Sequence, residues 1–211
     1  MEAEIDAGNT KFELNVKAYT TTIDAWARTK EGEKAAVRAQ EIFNHMLKLI
    51  ESRKYPGLKI NNGVFNATIN CLAQKTDRKV PSKCEKYLRD MLEISTTNSE
   101  VRPDSYTWNT VMHAYVQNWV NIHSSDLDSA TIVKKLLEDM AKEYKAGRSL
   151  ARPETISYNI VINALAKSKK VGAASDAAVL LAEMHDKFDN GDEAVKPNVV
   201  TYCAVVSELC L

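Results

Sequence analysis

Five aromatic residues, Tyr19, Phe65, Trp108, Tyr158 and Tyr202, each open the same short run of apolar positions, at intervals of 46, 43, 50 and 44 residues. The runs read AYTTTIDAWA, VFNATINCLA, TWNTVMHAYV, SYNIVINALA and TYCAVVSELC. Apolar residues follow each aromatic four, seven and eight places on: Ile23, Trp26 and Ala27, then Ile69, Leu72 and Ala73, then Met112, Tyr115 and Val116. The series continues with Ile162, Leu165 and Ala166 and closes with Val206, Leu209 and Cys210. That spacing is one face of an amphipathic helix. Its recurrence at a near-constant interval predicts a stack of similar units.

Each of the first four runs is followed by a polar turn and a second amphipathic stretch, at 34–54, 83–95, 126–146 and 174–188. These stretches share a methionine in register, Met46, Met91, Met140 and Met184, whose spacing and leucine flanks assign it to filling the core. Pro103, Pro153 and Pro197 cannot continue a helix and mark unit boundaries, while Asn118–Ser129 and Thr96–Val101 lengthen turns. The predicted fold is all-α, a solenoid of stacked antiparallel helical hairpins. Its units are 16–61, 62–104, 105–154 and 155–198. Segment 1–15 is read as the remnant of a preceding unit and 199–211 as the first helix of a fifth. That last helix lacks a hairpin partner, so the chain is expected to be a piece of a longer array, able to dimerise through this end.

Composition narrows the chemistry. Of 211 residues, 45% are hydrophobic and 27% charged, which supports a packed core and argues against disorder. No apolar run reaches the roughly 18 residues that span a bilayer. The acidic opening Met1–Asp6 is unlike an organelle transit peptide, which is Arg-rich and acid-poor. Cys71, Cys84, Cys203 and Cys210 are irregularly spaced, as are His45, His113, His123 and His185. Neither a disulfide framework nor a metal or nucleophilic cluster is suggested, so no enzyme activity, metal or cofactor is expected. The 28 basic and 28 acidic residues balance, which counts against strong indiscriminate nucleic-acid binding but leaves room for a local basic groove.

Three joins, Arg102-Pro103-Asp104…Trp108-Asn109, Arg152-Pro153-Glu154…Tyr158-Asn159 and Lys196-Pro197-Asn198…Tyr202, repeat a basic-Pro-acid/amide pattern. With the Leu180–Met184 ending of the last complete second helix, they make residues 16–211 resemble the pentatricopeptide repeat family. The resemblance implies a right-handed superhelix that binds single-stranded RNA, one base per repeat, in a mitochondrion or plastid, where it supports RNA processing, stability or translation. It implies reading pairs formed by the residue after the aromatic and the residue after the closing proline. Those pairs are Thr20 with Asn61, Asn66 with Asp104, Asn109 with Glu154, and Asn159 with Asn198. Their implied preferences are adenine, uracil, a weak pyrimidine preference, and cytosine with uracil tolerated. In the family an aliphatic residue two places before the aromatic sandwiches the base. Ile156 and Val200 match and Tyr106 stands there to stack, whereas Gly63 and Lys17 depart from the pattern.

Asp104, Glu154 and Asn198 also precede predicted helices, where Asp and Asn cap free N–H groups. Asn66, Asn109 and Asn159 are costly inside helices, and nothing local in the sequence demands them. Steps of four and eight from each reading position give the polar files Thr20, Asp24, Arg28; Asn66, Asn70, Gln74; Asn109, His113, Gln117; and Asn159, Asn163, Lys167. Arg28 and Lys167 are placed to meet phosphates. The rival expectation is a protein-interaction scaffold, in which the helix faces hold a partner peptide or helix.

Overall fold

The computed structural model describes residues 14–29, 31–118, 129–168 and 171–209. The segment up to residue 13, His123, Cys210 and Leu211 lie outside the described residues. Among the described residues the chain is all-helical, with nine α-helices and no strand. They are α1 (Val16–Arg28), α2 (Glu33–Glu51), α3 (Asn62–Ala73), α4 (Val80–Ile94), α5 (Ser105–Gln117), α6 (Ser129–Lys145), α7 (Thr155–Ser168), α8 (Ala173–Asp189) and α9 (Val199–Leu209). Short 3-10 turns, Ser99–Val101 and Glu193–Val195, precede α5 and α9.

Packing follows chain order. Each helix contacts the next, and α1, α3, α5, α7 and α9 also contact one another in series. The aromatic stripe explains this, because Phe65, Trp108 and Tyr158 are almost wholly buried together with Ile69, Met112 and Ile162. The methionine column is buried throughout, at Met46, Met91, Met140 and Met184. Phe43, Phe65 and Tyr87 meet edge to face, with ring centroids 4.9 to 6.3 Å apart, and tie α2, α3 and α4 together.

The ends of the helices are set locally. Asn15 caps α1, Asn61 caps α3 and Asp104 caps α5, each accepting a backbone N–H of the first turn. Gly32 and Gly172 stand directly before α2 and α8 at φ of 47° and 93°, a backbone region that glycine enters without a Cβ clash. The Pro103 join is held from the unit that follows. Ser149 Oγ and Leu150 N donate to the Pro103 carbonyl at 3.1 and 2.8 Å, and the indole of Trp108 donates to Ser149 Oγ at 3.0 Å.

One expectation is corrected. The second helix of unit two starts at Val80 rather than 83, because Pro81 sits in its first turn, where a missing N–H costs nothing. α9 keeps the register of the other first helices: Thr201 and Val205 are buried, as Thr107 and Val111 are in α5, while the stripe at Tyr202 and Val206 is exposed. Among the described residues α9 packs against α7 and α8, and no second helix of its own covers the stripe.

Candidate nucleic-acid interface

The first helices carry the residues singled out by sequence, and one arrangement recurs at three unit boundaries. The residue after the buried aromatic points its side chain towards the start of the following first helix. At the second boundary Asn66 Nδ2 donates to the two carboxylate oxygens of Asp104 at 3.2 and 3.1 Å. Asn66 Oδ1 accepts from Thr107 Oγ1 at 2.6 Å. Asp104 Oδ1 in turn accepts from Thr107 N at 2.9 Å, closing a capping box. At the fourth, Asn159 Nδ2 donates to Asn198 Oδ1 at 3.4 Å and Asn159 Oδ1 accepts from Thr201 Oγ1 at 2.7 Å.

The third boundary keeps only part of this arrangement, and the first has none of it. Asn109 Oδ1 accepts from Ser157 Oγ at 2.9 Å, but Glu154 turns its carboxylate to the hydroxyl of Ser105 instead of to Asn109. At the first, Thr20 Oγ1 bonds back to the Val16 carbonyl at 3.0 Å, and Asn61 Oδ1 accepts from Val64 N at 3.3 Å. Two of the four implied pairs are therefore joined directly, Asn66 with Asp104 and Asn159 with Asn198. The notion that nothing local demands asparagine at 66, 109 and 159 is corrected: each carboxamide links its own unit to the next.

These hydrogen bonds place Asn66, Asn109 and Asn159 half-buried, and the files open outward from them. Arg28, Gln74, His113, Gln117 and Lys167 are exposed. The three residues two places before an aromatic are exposed too, Tyr106 by 51%, Ile156 by 57% and Val200 by 61%. A cavity of about 600 Å³ lies between α3 and α5, lined by Asn70, Gln74, Tyr106, Thr110, His113 and Gln117. Amides, a hydroxyl, an imidazole and a phenol thus meet in one cleft, a donor and acceptor set with an aromatic ring beside it. Partial burial, and then the charge of Lys167, hold the His113 pKa below its ordinary value. Burial raises that of Tyr106, so the phenol keeps its proton.

Thr107, Ser157 and Thr201 are the members that sequence reasoning missed. A signal existed, since each stands directly before an aromatic of the repeat and three places after a boundary residue. Among the described residues no cluster of three or more His, Cys, Asp or Glu is placed to hold a metal, and no helix is long and apolar enough to cross a membrane. No family model matches the sequence, and no curated protein matches it.

Proposed function

We propose that the chain is a right-handed solenoid of helical hairpins that binds single-stranded RNA along its first helices, one base per unit, in an organelle. The reading is supported above all by the hydrogen bonds joining Asn66 to Asp104 and Asn159 to Asn198, because these couple the very residues that the family resemblance pairs. The interface leaves hydrogen-bonding capacity over. A carboxamide has four positions for hydrogen bonds, and two are engaged at Asn66, where one N–H is shared between both carboxylate oxygens, one at Asn109 and two at Asn159 among the described residues. Exposed Tyr106, Ile156 and Val200 supply apolar surface at the spacing of the units, against which an unstacked base would lie.

Specificity on this reading comes from hydrogen bonds and stacking rather than from charge. Arg28 and Lys167 are the cations of the four files, and the chain as a whole is neutral. Binding therefore has a shallow salt dependence. Each stacked base contributes roughly 1–3 kcal/mol before ordering costs, so a four-base footprint gives modest affinity.

The test is a titration of short RNAs, matched and scrambled, at two salt concentrations. The matched strand carries adenine, uracil, a pyrimidine and cytosine in order. Asn66→Thr with Asp104→Asn is expected to move the preference at the second base from uracil towards adenine. Equal affinity for every strand would sink the reading and favour a protein-binding scaffold.

A further inference from the structure

Thr107, Ser157 and Thr201 share a geometry that capping alone does not require. Each is the third residue of its helix and each is fully buried. Each hydroxyl reaches across the unit boundary to an asparagine Oδ1, at 2.6, 2.9 and 2.7 Å respectively. Each hydroxyl oxygen also accepts from the backbone N–H of its own boundary residue: Asp104 at 3.2 Å, Glu154 at 3.5 Å and Asn198 at 3.1 Å. A hydroxyl has a single proton to give. The competing acceptors are farther off, Asp104 Oδ1 at 2.9 Å from Thr107 and Asn198 Oδ1 at 3.2 Å from Thr201, so the proton goes to the asparagine. At the second boundary, turning the Asn66 carboxamide over would set its carbonyl oxygen against the Asp104 carboxylate.

The first boundary is an internal control. Val64 occupies the third position there, buried and without a hydroxyl. The residue facing it is Thr20, not asparagine, and Thr20 satisfies its own hydroxyl on Val16. Carboxamide and buried hydroxyl occur together or not at all.

We propose that Thr107, Ser157 and Thr201 are positioning residues that fix which way round each carboxamide sits, and so which of its polar atoms a ligand in the groove meets. The orientation itself stands on the geometry above; its consequence for base choice rests on the RNA reading. With Oδ1 turned to the hydroxyl, the N–H that the joint leaves over at Asn66 and Asn159 is what the groove is offered, a donor that suits the carbonyl oxygens of a pyrimidine edge.

The test uses the full chain with Thr107→Val, which removes the donor while keeping the shape, and Thr107→Ser, which keeps it. The first readout needs no RNA: nitrogen-resolved NMR of the Asn66 side-chain amide, identified by its disappearance in Asn66→Ala. Loss of one hydrogen bond is expected to speed its hydrogen exchange by about tenfold in Thr107→Val, with the wild-type rate kept in Thr107→Ser. Unchanged exchange in a folded Thr107→Val overturns the proposal. Where that variant fails to fold, Ser157→Ala read through the Asn109 amide gives the same decision. In the RNA arm, preference for uracil over adenine at the second base is expected to fall by about threefold in Thr107→Val and return in Thr107→Ser. A loosened amide with undiminished base preference overturns the specificity role. A wild-type chain that shows no preference, yet loosens its amide in Thr107→Val, overturns the RNA reading and supports the orientation lock.

Discussion

Asn66 in α3 and Asp104, the residue directly before α5, share a two-pronged hydrogen bond: Asn66 Nδ2 lies 3.2 and 3.1 Å from the two carboxylate oxygens of Asp104. Asp104 is also the N-cap of α5, so one carboxylate both ends a helix and joins two units. Asp104→Ala is expected to cost about 1–2 kcal/mol for the cap, plus the bond to Asn66. Asn66→Ala leaves the cap in place and removes the joint together with the bond from Thr107. A double-mutant cycle in urea should return a coupling of roughly 0.5–1.5 kcal/mol, and additive losses would mean that the two residues act separately.

Thiol reactivity reports how α3 and α4 are packed. Burial pushes the Cys84 thiol up to about 12, and burial with the nearby Asp24 carboxylate pushes Cys71 up to about 11. The thiolate is the reactive form, and at pH 8 its share is on the order of one in a thousand or less at both sites. Cys203 on α9 is exposed. In a Cys210→Ser background, one thiol is expected to react quickly with a maleimide, and Cys203→Ser should abolish that phase. A second fast thiol would show that α3 or α4 opens.

Much of this was legible in the chain. Phe65, Trp108 and Tyr158 and the methionine column are buried because a 3.6-residue period fixes a face, and a face that apolar has to be covered. What period cannot say is which neighbour covers it. Tyr202 and Val206 carry the pattern and are exposed, because among the described residues no second helix pairs with α9 as α4, α6 and α8 pair with α3, α5 and α7. The boundary hydroxyls escaped notice for another reason. A Ser or Thr three places after an Asp or Asn is ordinary helix-start sequence, and only the distance to an asparagine some 40 residues earlier shows what Thr107 does.

His113 gives the cleft a pH signature. Burial, and secondarily Lys167, hold its pKa below 6.5, so the folded chain binds this proton less readily than the unfolded chain. Stability is then unaffected by this group above 6.5. It falls as pH drops through the interval between 6.5 and the folded pKa, and it levels off below that. His113→Gln is expected to flatten stability against pH in that interval. Lys167→Gln should move the His113 NMR titration upward, and by the smaller part of the shift, because burial is the larger cause. An unmoved titration in Lys167→Gln would place the two groups out of electrostatic reach.

Glu154 is the one boundary residue whose length works against its place. Asp104 reaches Asn66 and the Thr107 N–H together, and it also accepts from Asn62, the first residue of its neighbour α3, at 3.3 Å. Glu154 has one more methylene, and its carboxylate goes to Ser105, the residue that corresponds to Asn62. Among the described residues no hydrogen bond links that carboxylate to Asn109 or to Ser157 N, so both the joint and the side-chain cap are missing there. Glu154→Asp draws the charge back by one bond length, to the place Asp104 occupies in its own unit. The substitution should add a cap to α7, stabilising the chain by about 0.5–2 kcal/mol in urea unfolding, and should slow exchange of the Asn109 side-chain amide. Glu154→Gln, which keeps the length and removes the charge, is expected to do neither. If Glu154→Asp leaves both stability and amide exchange where they were, side-chain length is not what separates Asn109 from its partner.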